Sequence, residues 1–438
     1  MPASGGRPHL LTDAKTDPSG GTHHLWPQTI EGGKGVLFAA TNGSGQGSLQ
    51  ILSSRDGKFK LLMENSTYGR YLASGYLIYF QRGALFAAPM DASRLELSGP
   101  SVPFLNGVSS SGLGRADFDL AASGTLVYRR NAAQERVNPS WLYSSGKVEP
   151  VLPKPGNYST PVLSPDGTRL ALSVIRDGKQ NLWVYNFRRE TFTRLTFGAA
   201  PELMPAWTPD GEFVAFRSGN GLAWMRSDGS GKVERLADVS PNAGPWSFSA
   251  DGKWLTFWPL QPGSDLWVAP VERAPGVLRL GQPQPLLQGG GSKGAPAISP
   301  DGRWLAYTSD ESGRFEIYVM PFLPAVSLKI GKWQGSGGGG LAPKWSANTR
   351  ELFYQSLDRR VEVAAYTARG DSFVPEKPRV WSEKQLGGGG LFAGFDVAPD
   401  GNRVLAMLAV EDLKSQTLLR IVLNADSELR RRVTAHIR

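Results

Sequence analysis

The chain is predicted to be all-β, assembled from repeated four-stranded antiparallel sheets, and three observations carry that expectation. One tight turn recurs: Asp166-Gly167 in LSPDGTRLALS, Asp210-Gly211 in WTPDGEFVAFRS, Asp251-Gly252 in FSADGKWLTFWP, Asp301-Gly302 in ISPDGRWLAYTS and Asp400-Gly401 in VAPDGNRVLAML. Each turn is followed by apolar residues in alternation, such as Leu170, Leu172 and Val174, the period of a half-buried strand. The turns return at a period of roughly 40–50 residues, the length of a four-stranded unit. The last interval is about double, because a worn copy without its Asp-Gly, KWSANTRELFYQS at 344–356, falls inside it. One such sheet has two apolar faces and buries neither alone. Units of this size stacked round an axis make a β-propeller of four-stranded antiparallel blades. Leucine-rich and helical solenoids need shorter units or helical spacing, and neither is present.

The clearest unit spans 163–198. Val162 and Leu163 end a first strand. In Pro165-Asp166-Gly167, proline presets φ, Asp bonds its own backbone and Gly takes positive φ without steric cost. Leu170 to Val174 form the second strand, Leu182, Val184 and Phe187 mark the third, and Phe192 to Thr196 the fourth, after the Arg189-Glu190 turn.

Taken in order, residues 1–25 are polar and Gly-rich, with Pro8 to Thr12 a candidate outer strand. WPQTI, GVLFAA, SLQILSS and KFKLLM give a first unit, with Glu31-Gly32-Gly33 as its corner. YGRYLAS, YLIYFQR, ALFAAPM and SVPFL give a second. FDLAASGTLVYRR, cornered at Ser123-Gly124, then SWLYSSG and VEPVLP, give a third, interrupted by the polar stretch Asn131 to Ser140. Six further units start near Tyr158, Leu203, Ala243, Gly294, Leu341 and Phe392. The four-glycine runs 337–340 and 387–390 read as loops between blades. The last unit ends in LLRIVLN, followed by ADSELRRRV, where Asp426 or Ser427 caps a short helix. Nine units are compatible with one nine-bladed ring, or with a three-unit partial propeller at 1–140 followed by a six-bladed ring at 141–438 that carries the helix and a basic tail. The better-formed turns of the later units favour the second arrangement.

Bulk properties narrow the function. Cysteine is absent, which excludes disulfides and thiolate metal sites. The net charge of +9 owes much to Arg430, Arg431, Arg432 and Arg438, and the rest is scattered, so no nucleic-acid face is expected. No run approaches the ~18 apolar residues of a membrane span. The first residues carry no apolar signal core, so an export signal would lie outside this sequence.

Motifs for catalysis fail on context. Gly290-Gly291-Ser292-Lys293-Gly294 matches G-x-S-x-G, but precedes a strand instead of the helix of a nucleophile elbow. Gly335 to Gly340 matches G-x-G-x-x-G, but opens a β-unit with no helix N-terminus for a phosphate. His9, His23, His24 and His436 have no acidic company, and adjacent His23 and His24 point to opposite faces of a strand. The turn explains the repeated Asp residues. Trp183, Trp207, Trp246, Trp254, Trp267, Trp304 and Trp345 read as packing between blades, with a stacking platform as the alternative. No catalytic group, metal or cofactor is therefore assigned. What remains is the mouth of the central channel. Counting three residues back from the repeat prolines gives Tyr158, Glu202, Asn242 and Lys293, which differ from blade to blade as a ligand rim would; an unconstrained loop would vary in the same way.

LSPDGTRLAL, WTPDGEFVAF and ISPDGRWLAYTSDESGRFEIYVMPF resemble the WD-type repeats of TolB-like propellers. GKWQGSGGGGLAPKWSANTRELFYQS, LLRIVLN, GTHHLWPQ at 21–28 and YLIYFQRGALFAAPMDASRLELSG at 76–99 resemble the propeller region of large bacterial serine/threonine protein kinases, in which a kinase domain and a membrane span precede the propeller. That resemblance implies a sensing role outside the cytoplasm, and two six-bladed rings in such proteins. The phosphate- and magnesium-binding sets of a kinase are missing here, so phosphoryl transfer is not implied. The expected function is non-catalytic binding of a protein segment, peptide or small polar ligand at the channel rim. The alternatives are a hydrolase or lyase with its site in the channel, and a scaffold without ligand.

Overall fold

The computed structural model describes residues 11–12, 23–41, 47–81, 83–110, 115–121, 124–129, 136–219, 221–237, 243–259, 263–274, 276–324, 331–387, 394–410 and 419–437. Most of the candidate strand at 8–12, His9, Ser123, Asn131 to Glu135, Asn242, Gly388 to Gly390 and Arg438 lie outside these. The chain forms two compact units, residues 135–411 and residues 1–134 with 412–438.

In the unit 135–411 every sheet is antiparallel and at least four-stranded. The first is built from Tyr158–Leu163, Arg169–Arg176, Lys179–Asn186 and Thr191–Arg194, in that order. The next four open on Glu202–Trp207, Ala243–Phe248, Lys293–Ile298 and Leu341–Trp345. A sixth sheet joins both ends of the unit: Phe395–Val397 pairs with Arg403–Ala409, which pairs with Val137–Tyr143, which pairs with Val148–Pro150. The innermost strands touch in sequence, and that of the sixth sheet touches that of the first. This closed cycle of sheets is the propeller.

The turn chemistry is as expected, with one addition. Gly167 has φ 68°, and Asp166 Oδ1 accepts from the Thr168 amide at 3.0 Å and from Ser164 Oγ at 2.5 Å. A hydroxyl two residues before the Asp recurs at Thr208, Ser249 and Ser299, each donating to the turn carboxylate. Neighbouring sheets are tied near these turns. Arg169 donates to Gly211 O at 2.9 Å and lies 4.6 Å from the Trp207 ring centroid. Between sheets the cores are aromatic: Trp304, fully buried, packs on Trp333 and Phe373 with Ile317, Val319, Leu352 and Tyr354.

In the other unit, His23–Thr29, Gly35–Thr41, Gly47–Ser53 and Phe59–Glu64 form one sheet, and Tyr68–Leu72, Tyr76–Gln81 and Ala84–Asp91 the centre of another. A third consists of Phe118–Leu120, Leu126–Arg129 and Leu419–Val422. The helix Ala425–Ile437 begins just before Asp426, and it buries Ala425 and Leu429 among Tyr68, Phe80 and Phe104. No helix among the described residues is long and apolar enough to cross a membrane.

Two strand assignments differ from the sequence reading. SWLYSSG and VEPVLP belong with Arg403–Ala409, and LLRIVLN pairs with Leu126–Arg129. Burial decides this. Leu142 is enclosed with Phe353, Trp381 and Val404, whereas Val422 packs against the cluster of Tyr68, Phe118 and Leu126.

Two outcomes follow for stability. Trp304→Ala should cost about 3–5 kcal/mol, read from denaturant unfolding, because it empties a packed inter-sheet site. The Asp251 carboxyl is held below the usual range by Ser249 and the Lys253 amide. At Asp166 and Asp210 burial alone would raise the carboxyl, but Ser164 and Thr208 with the turn amides outweigh it. A depressed carboxylate stabilises the fold above its unfolded pKa of about 3.9 and loses that contribution as pH falls through the folded value. Replacing all three with Asn should therefore lower stability at pH 7 and flatten its decline below about pH 4.

Candidate functional site

The inner strands share an irregularity that shapes the centre. Thr160, Met204, Ala295 and Ala342 each precede a proline and have φ of 49°, 58°, 53° and 52°. Pairing to the second strand slips at each, between Ser159 and Val162, Leu203 and Ala206, Gly294 and Ala297, and Leu341 and Lys344. Proline has no amide to donate, so it fits an edge strand at a bulge. Positive φ at a non-glycine residue costs on the order of 1–3 kcal/mol, and its recurrence shows that the bulge belongs to the fold.

The third sheet departs from this pattern. Its strand reads Gly244-Pro245-Trp246-Ser247, and the stretch from Pro245 to Asp251 is one residue longer than that from Pro161 to Asp166. Pairing slips between Pro245 and Ser247, and counted back from the turn Asp, Trp246 stands where the other inner strands carry Pro161, Pro205 and Pro296. Its ring stacks on Trp258 with centroids 5.3 Å apart.

Side chains of the inner strands tie one sheet to the next. Asp396 Oδ2 accepts from the Leu163 amide at 2.8 Å, and Asp396 Oδ1 lies 3.2 Å from Lys344 Nζ, both side chains being largely buried. Ser247 Oγ accepts from the Ile298 amide. Trp207 Nε1 donates to Val162 O at 3.0 Å and Trp345 Nε1 to Ala297 O at 2.9 Å.

Thr160, Pro161, Val162, Met204, Pro205, Pro245, Trp246 and Lys344, from four inner strands, line a small depression that is open to solvent. Its walls are apolar. Two of these residues carry a side-chain polar atom that is buried without a hydrogen-bond partner, Thr160 Oγ1 and Trp246 Nε1. Lys344 Nζ stands 5.5 Å from the Trp246 ring centroid.

Tyr158, Glu202 and Lys293 are the first residues of their inner strands, two positions before the bulge. None lines the depression. Glu202 is 1 % exposed and accepts from Asn181 Nδ2 at 2.7 Å; Lys293 is 5 % exposed and donates to the carbonyls of Gly289 and Gly291; the Tyr158 hydroxyl donates to Lys154 O. Burial lowers the pKa of Lys293. Thr160, Trp246, Lys344 and Asp396 were not singled out as ligand residues by sequence reasoning. The available signal was the lengthened spacing at Trp246.

The motif matches are structural. Ser292 Oγ accepts from the Gly263 amide, on a loop entering a strand. The Gly335 to Gly340 run is pinned by buried Glu316, which accepts from Gly339 N at 3.1 Å and from Ser336 Oγ. The His24 ring packs on Phe38 at 4.8 Å. Among the described residues no three His, Asp or Glu side chains gather as metal ligands.

Residues 140–274 match the family described as TolB beta propeller domain. The matched stretch is a TolB-like β-propeller sequence. The curated relative "Uncharacterized peptidase YuxL" of Bacillus subtilis (strain 168) is 26% identical over 210 residues, 37% of this chain and 32% of its own. The chain thus spans about a third of the length of that relative. Among solved structures, a putative TolB from Agrobacterium tumefaciens is 18% identical with a TM-score of 0.49, covering 63% of this chain and 99% of that one. TolB from Acinetobacter baumannii is 14% identical with a TM-score of 0.42, covering 78% and 80%.

The Lys344–Asp396 pair at the centre of the ring gives a direct test. Asp396→Ala leaves a largely buried ammonium and the Leu163 amide without their partner, and should cost about 3–5 kcal/mol. Adding Lys344→Met should recover part of that loss, giving a favourable coupling energy in a double-mutant cycle of unfolding free energies.

Proposed function

We propose that this TolB-like propeller is a non-catalytic binding module that takes a protein segment, peptide or small polar ligand at the central depression. The observation that supports it is the pairing of apolar walls with two buried, unpartnered polar atoms. An unmade buried hydrogen bond costs about 1–3 kcal/mol, and a ligand that makes it recovers that cost on binding. An apolar concavity with a few converging polar groups is the usual form of a ligand site. The resemblance to kinase-linked propellers makes this the sensing part of a receptor outside the cytoplasm.

The enzymatic reading draws on the peptidase name of the relative. Against it, the lining residues include no His, Asp or Glu to act as acid or base.

A thermal-shift screen of peptides and small polar compounds tests the binding reading. Ligands that raise the unfolding midpoint of the wild type should lose that effect in Trp246→Ala. Ligands that stabilise both proteins equally would overturn the central site, and turnover in an esterase, peptidase and glycosidase panel would overturn the non-catalytic assignment. Coding DNA directly upstream tests the receptor role: an in-frame kinase domain and membrane span are expected, and a different upstream frame refutes it.

A further inference from the structure

The donors at the centre narrow the ligand chemistry, an inference that rests on the binding reading above. Trp246 Nε1 can donate and cannot accept. Tryptophans of two other inner strands, Trp207 and Trp345, spend that donor on a carbonyl of the adjacent sheet. Trp246 stands two positions earlier in its strand, where the other inner strands have proline, and its donor has no partner. Trp304 Nε1 is also unpartnered, but it sits inside the packed cluster with Trp333 and Phe373 and does not line the depression. Thr160 is 8 % exposed, and its hydroxyl, on the strained bulge residue, is likewise free to donate.

The third polar group on the wall is the Lys344 ammonium, which has three protons, of which the Asp396 contact uses one. The Asp396 carboxylate is already engaged on both oxygens, by Lys344 and by the Leu163 amide. The depression therefore presents donors, and its built-in acceptor is occupied. Pro161, Val162, Met204, Pro205 and Pro245 supply an apolar surround in which a hydrogen bond to a charged acceptor is strengthened.

We propose that the central site binds a carboxylate, held by Trp246 Nε1, Thr160 Oγ1 and Lys344 Nζ, with the apolar walls taking the group that carries it. A peptide C-terminus and a small carboxylic acid share this chemistry, and the experiment separates them.

The test uses the full chain and isothermal titration. The probes are tripeptides ending in Leu or Val as free acids, the same tripeptides as C-terminal amides, and the small acids acetate, pyruvate and succinate. Free acids should bind at least tenfold tighter than amides. Binding by tripeptide acids with none by the small acids assigns a chain terminus; the reverse assigns a metabolite-sized acid. Trp246→Phe and Thr160→Val each keep the shape and remove one polar atom, and each should weaken the acids about tenfold or more, as expected for a hydrogen bond to a charged group. The same variants should unfold at midpoints equal to or above the wild type, because they remove an unpartnered buried polar group. A structural role for either atom would lower the midpoint instead. Equal affinity for acids and amides, both weakened by Trp246→Phe, overturns the carboxylate and leaves the central site standing. Failure of every acid to bind, with neutral polar compounds binding in a Trp246-dependent way, does the same. Failure of all probes, charged and neutral, overturns both.

Discussion

Each four-stranded sheet in this protein has two apolar faces, and only another sheet can cover each of them. That constraint accounts for the architecture of the unit 135–411. A linear stack would leave Leu163, Leu170 and Leu172 bare on one end and Trp141, Leu405 and Met407 on the other. In the closed cycle, Leu170 and Leu172 pack with Trp141, Leu405 and Met407, so the first sheet and the sixth cover one another. Closure then requires one sheet to hold strands from both chain ends of the unit, and the run of pairs from Val137–Ala409 to Tyr143–Arg403 is that lock. Opening the ring would break this pairing and expose two apolar faces together, which couples the stability of the sheets.

Closing the ring also determines what the centre can be. Inner strands are sheet edges, and edges with free amides invite further pairing. Here the inner edge is interrupted by prolines and by bulges at Thr160, Met204, Ala295 and Ala342. Side chains of the inner strands then serve neighbouring sheets, as Asp396 serves the Leu163 amide and Ser247 that of Ile298. Thr160 and Trp246, the latter standing where other inner strands have proline, keep polar atoms without a partner, whereas Trp207 and Trp345 donate to a carbonyl of the next sheet.

The legible part of the sequence was local. Asp166-Gly167 and its copies announce themselves because proline, Asp and Gly act within four residues, and alternation after each turn gives the second strand. The exchange of Val137–Tyr143 and Leu419–Val422 was not legible, since strand patterns state that an edge needs a partner and not which one. The side-chain directions at Glu202 and Lys293 were hidden for a different reason. Counting back from the proline locates the strand start, but the bulge between shifts the pleat, and a one-residue shift sends a side chain to the other face. Glu202 consequently reaches Asn181 on the preceding sheet, and Lys293 serves its own loop through the Gly289 and Gly291 carbonyls. The lengthened spacing at Trp246 was in plain view, but among recurring tryptophans it looked like another packing residue.

The two unpartnered atoms carry the functional argument because they oppose the fold. Every other feature of the centre, from the prolines to the Lys344–Asp396 pair, either stabilises the ring or follows from its geometry. Thr160 Oγ1 and Trp246 Nε1 do neither: a valine and a phenylalanine would fill the same space without a buried polar group to satisfy. A fold that covers its apolar faces so completely gains nothing structural from leaving these two bare. On the binding reading, an acceptor arriving from outside recovers their cost, and the depression that Thr160 and Trp246 line is the place for it to arrive.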